Sequence, residues 1–138
     1  MPIPKEVQDV FNDPAAIKVL ATRSGENLHV IPLGSLRAPD ANTIVCATIH
    51  MREAHENLRT AAETGARVST LAVKVVPGAP PQAYQVRCQV KTFVTSGPLF
   101  EGMREAIKKM GMETRGVWVL EPVEVLAQFG PNIGKKIA

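Results

Sequence analysis

The stretch IKVLATRSGENLHVIPLGSLRAPDANTIVCAT, residues 17–48, decides the fold. Ile17 to Thr22 is an apolar, β-branched run that reads as a strand, and Ser24-Gly25-Glu26-Asn27 is a hairpin turn into a second strand, Leu28 to Leu36. Pro39-Asp40-Ala41-Asn42 makes a second turn into the buried-looking strand Thr43 to Thr48. Both connections are far shorter than the dozen or so residues a parallel crossover needs, so the three strands are expected to run as an antiparallel meander.

Upstream, Pro4 to Phe11 places Val7, Val10 and Phe11 on one helical face and stops at Asn12-Asp13-Pro14, where proline cannot continue a helix. Its length suits a lid. Downstream, Arg52 to Glu63 takes a helical period, with Ala54, Leu58, Ala61 and Ala62 on one side and Glu53, Glu56 and Arg59 towards the other, ended by Thr64-Gly65. Two β-branched strands follow, Arg67 to Val76 and Ala83 to Thr95, joined by a short proline loop. Ser96-Gly97-Pro98 opens a third helix, with Leu99, Met103, Ala106, Ile107 and Met110 on one face and Gly111 at its end. Gly116 to Ala127 is the last strand, carrying Trp118 and followed by an irregular tail. The expected class is mainly β with α: a six-stranded, antiparallel, Greek-key-like barrel with short peripheral helices, in one domain over residues 1–138.

Composition bounds the function. A chain of 138 residues that is 45% hydrophobic and 21% charged has the make-up of one globular domain. At that length about two thirds of the unfolded surface is buried on folding, so no disulfide or structural metal is needed. Cys46 and Cys88 lie inside apolar runs with no signal-peptide pattern ahead of them, and a cytoplasmic location with reduced, structural thiols is expected. No apolar stretch approaches the roughly 18 residues of a membrane span, so no membrane partner is expected. The net charge of +3 is scattered, and with one tryptophan, one tyrosine and four phenylalanines there is no basic and aromatic strand face to stack bases. Nucleic acid is therefore excluded as a partner, while a small anionic ligand remains well suited. Neither GxGxxG, GxxxxGK nor GxSxG occurs, and His50 and His55 diverge around a helix, so neither a dinucleotide fingerprint, a nucleophile elbow nor a metal site is expected. His55 is assigned to the exposed side of its helix.

The conspicuous chemical cluster is Thr48-Ile49-His50-Met51-Arg52, between the end of a strand and the start of a helix. Backbone N–H groups at a helix start form a ready anion site, to which His50 and Arg52 add side-chain donors. A guanidinium can take two phosphate oxygens at once. The competing reading makes Arg52 a solvated first-turn residue and His50 an ordinary turn residue.

The strands His29–Ser35 and Thr43–Ala47, the segment Met51–Leu58 with its Asn57, and the run Ser96-Gly97-Pro98-Leu99-Phe100-Glu101 together resemble the FMN-binding split-barrel family, which includes the pyridoxamine phosphate oxidases. The resemblance runs from about Ile17 to Gln128. It implies a homodimer with FMN at the interface, the phosphate meeting Thr48, His50, Met51 and Arg52, and the isoalloxazine ring resting on Pro32, Leu33, Gly34 and Ser35. Gln85-Val86-Arg87 is similar to a run that touches flavin in the oxidase branch, which implies a contact from Gln85. Trp118 or Phe129 would reach the partner's flavin, a core position being the alternative for Trp118. One alignment sets Glu53 and Ala54 where relatives carry a lysine and a threonine for the phosphate; a one-residue shift makes Arg52 the cation instead. The activity implied is that of a flavin-dependent oxidoreductase using a nicotinamide or other small redox partner, with no catalytic acid or base assigned because the flavin accepts the hydride. The alternatives are a non-enzymatic FMN-binding or electron-transfer module, and a split barrel that holds another anionic cofactor, haem or deazaflavin.

Overall fold

The computed structural model describes residues 2–138. Its elements are α1 (Lys5–Asn12), β1 (Ile17–Ser24), β2 (Asn27–Pro32), β3 (Arg37–Asp40), β4 (Thr43–Thr48), α2 (Glu53–Thr64), β5 (Arg67–Lys74), β6 (Gln82–Val94), α3 (Pro98–Lys108) and β7 (Gly116–Ala127). All strand pairs are antiparallel, in one sheet of order β2-β1-β5-β6-β7-β4-β3. The protein is mainly β with three helices, and its hydrogen-bonded ladder is open, β2 and β3 being the two edges.

Seven strands replace the expected six, and the meander is corrected. Leu28–Leu36 does not continue as one strand. Pro32 has no N–H to extend the ladder, the Leu33 N–H makes a last bond to Lys18 O (2.8 Å), and the Leu36 N–H turns back to Leu33 O (3.2 Å). The chain then enters β3, which pairs with β4 at the opposite end of the sheet. Since only Leu33–Leu36 joins the two edges, the sheet must curl to bring them together.

The curl encloses a core in which Leu20, Leu36, Ile44, Leu58, Val86 and Leu120 are fully buried. The lid helix α1 buries Val7, Val10 and Phe11, the face its spacing predicts. It also covers the β3 edge: Asn12 Nδ2 donates to Ala38 O and its Oδ1 accepts the Ala38 N–H, both at 2.8 Å. α3 packs on the outer side of β4 and β7, where Val45, Val117, Val119 and Phe100 form a second small core. Beyond Leu120, β7 has no β4 partner, and the tail takes that place: the Val125 N–H bonds Ala138 O (2.7 Å) and the Ala127 N–H bonds Lys135 O (3.0 Å). No helix is long and apolar enough to cross a membrane.

Candidate functional site

The link between β2 and β3 forms one wall of a cavity of about 450 Å³, with Pro32, Leu33, Gly34 and Ser35 all lining it. The facing wall is α3 and its exit, chiefly Leu99, Met103, Ile107, Met110 and Met112. The link is held by Ser35, whose Oγ accepts the Ala47 N–H at 3.0 Å. Arg37 is the one charged residue in the lining; its Nη1 donates to Leu36 O (2.8 Å) and Gly34 O, and burial disfavours its charge. The cavity reaches Ile49, within the strand-to-helix corner.

At that corner His50 and Arg52 are exposed and Met51 packs against the core. Arg52 occupies the N-cap position of α2 with no side-chain cap, and the first helical bond runs from the Glu56 N–H to Arg52 O, so the first-turn N–H groups lack helical acceptors. Glu53 reaches β2, its Oε2 lying 2.7 Å from His29 Nδ1. Among the described residues no carboxylate pairs with Arg52. Thr48 is fully buried, and its Oγ1 is the buried polar side-chain atom without a hydrogen-bond partner among them. Its carbonyl accepts from Thr114 Oγ1 (3.0 Å) and the Arg115 N–H (3.1 Å), which ties the loop before β7 to the corner. Sequence reasoning did not find Arg115, because only this long-range pairing brings it there. Uncapped N–H groups and an unpaired guanidinium fit an anionic group such as a phosphate.

The remaining candidates lie elsewhere. Trp118 stands inside the barrel at 3% exposure, where its indole N–H donates to His55 Nδ1 at 3.0 Å and its ring leans on Phe93. His55 is therefore half-buried against these aromatics, correcting its assignment to the exposed helix side; burial first, then the charge of Arg115, hold its pKa below the ordinary 6.5. Gly116 is required beside them, since a Cβ there would sit 2.3 Å from the Phe93 ring. Gln85 is on the outer face of the sheet, where its Nε2 donates to Ser69 Oγ and its Oε1 accepts from Gln128, both at 2.7 Å. Arg87 is bonded to Glu124. Phe129 is half-exposed in the tail. Cys46 and Cys88 are buried, which pushes both thiols up to about 12 and leaves them inert at neutral pH. Among the described residues no group of three or more potential metal ligands comes together.

No family profile and no curated protein matches the chain. Among solved structures, an FMN-binding protein of Syntrophomonas wolfei subsp. wolfei superposes with a TM-score of 0.73 at 12% identity, over 89% of this chain and 84% of that one. HupZ of Group A Streptococcus gives 0.72 at 17%, over 96% and 99%. A pyridoxamine 5'-phosphate oxidase-like protein of Lactobacillus delbrueckii gives 0.67 at 19%, over 91% and 94%, and an F420 reductase shares the fold as well. Identities this low carry the fold alone, and that fold is the split barrel.

Proposed function

We propose that the chain is an FMN-binding oxidoreductase, with the phosphate at the β4–α2 corner and the flavin ring along Pro32–Ser35. The observation that carries this reading is the corner itself: α2 opens with uncapped N–H groups beside an unpaired Arg52, while Glu53 is drawn off by His29. The cavity adjoining the corner through Ile49 gives the ring an apolar bed of suitable size, within the roughly 300–1,000 Å³ of small-molecule sites. When bound, the flavin accepts the hydride. The chain's own residues bind, orient and exclude water; the lining holds no carboxylate or histidine to move a proton. Exposed Leu28 and Val30 on β2 favour a homodimer that covers this side of the sheet.

A visible spectrum and an FMN titration of the purified chain test the reading; no flavin absorbance and no uptake of added FMN would end it. Arg52→Ala is expected to weaken FMN binding by about 1.5–3 kcal/mol, the value of a charged hydrogen bond. Stopped-flow reduction by NADH or NADPH separates an enzyme from an electron-transfer module. The likeness to an F420 reductase favours one second reading, a deazaflavin in the same site, which a parallel F420 titration distinguishes.

A further inference from the structure

We propose that the cavity between the Pro32–Ser35 link and α3 binds an amphipathic carboxylate, its apolar body against the α3 methionines and its carboxylate on Arg37. The inference does not rest on the flavin reading, because the carboxylate would compete with the flavin ring for this cavity. Two independent features define the ligand. The first is the wall: Leu99, Met103, Ile107, Met110 and Met112 offer only apolar, deformable surface, which suits a flexible or planar hydrocarbon body. The second is uncompensated charge. Arg37 spends Nη1 on two backbone carbonyls, and among the described residues no carboxylate lies within ion-pairing distance of it. Lys18, whose carbonyl holds the link through the Leu33 N–H, is 3% exposed and has no ion pair either, because Asp13 bonds Lys74 at 2.5 Å. Burial first, then repulsion from Arg37, lower the Lys18 pKa, and the Asp13 carboxylate offsets them only in part. Half-buried positive charge of this kind is stabilised by an anion. With one guanidinium in contact and the second cation acting only through its field, a single negative charge is the match, and the fork of Arg37 fits a carboxylate.

Isothermal calorimetry on the full chain, with octanoate and with octanol, tests this. Octanoate is expected to bind at least tenfold more tightly than octanol. Arg37→Leu should erase that preference and Arg37→Lys should keep part of it. Gly102→Trp, in the cavity lining on α3 where an added Cβ meets nothing within 4 Å, should fill the cavity and abolish octanoate binding in a folded protein. Equal affinity for octanoate and octanol, or an unchanged octanoate Kd in Gly102→Trp, overturns the inference. The octanoate and FMN titrations are both run on flavin-free chain, which keeps the two readings apart: failure to bind FMN counts against the flavin alone, and failure to prefer octanoate counts against the carboxylate alone.

Discussion

Lys18 carries its ammonium into the barrel wall at 3% exposure, and burial, followed by repulsion from Arg37, lowers its pKa from 10.5 to about 8. A lysine whose folded value lies below its unfolded one is held protonated more tightly by the unfolded chain. Its cost to the fold is therefore complete below pH 8 and fades as pH rises towards 10.5. Lys18→Met should raise stability at pH 7 by about 1–3 kcal/mol, and by less at pH 10, in urea unfolding at both values. His55 acts in the opposite sense, as the acceptor for the buried indole N–H of Trp118. His55→Leu strands that donor and should cost about 1–3 kcal/mol. Trp118 is the one tryptophan in the chain, so its emission reports the same event directly.

At the scale of elements, α2 matters because it must begin at the corner and stop cleanly against β5. Its start is left without a side-chain cap, which costs the helix some stability and keeps the first-turn N–H groups available. Its stop is Gly65, at φ 77°, whose N–H bonds Ala61 O. A Cβ there would meet no atom within 4 Å, so Gly65→Ala should cost only the left-handed backbone penalty, about 1 kcal/mol, measured by thermal unfolding. FMN affinity should be unaffected, since the corner lies at the other end of the helix.

For the whole molecule, the open edge and outer face of β1 and β2 are the exposed apolar surface most in need of cover: Ile17, Leu28 and Val30 are each 64–79% exposed. A second copy placed there would protect the β2 edge as Asn12 and α1 protect β3. Val30→Glu is expected to convert a dimer to a monomer in sedimentation equilibrium; a variant as dimeric as the parent would move the interface elsewhere.

Element type was legible in the sequence because it depends on neighbours a few positions away. Gly116–Ala127 forms a strand with the expected bounds, α2 shifts by one residue from Arg52–Glu63 to Glu53–Thr64, and Val7, Val10 and Phe11 form the buried face of α1. The corner could likewise be named as a site candidate, since a helix start is a local feature, whereas Pro32–Ser35 is named only through the family resemblance. What only the tertiary structure decided was pairing. The splitting of Leu28–Leu36 follows from where the Leu33 N–H finds an acceptor, and β4 pairs β7 rather than continuing the β1–β2 meander. At the corner Glu53 meets His29, the partner of Trp118 is His55, and Arg115 joins the corner through a bond to the distant Thr48 carbonyl. A hydrogen bond or ion pair between segments far apart in the chain leaves no periodic trace in either segment, so a site assembled from such bonds is visible only after folding.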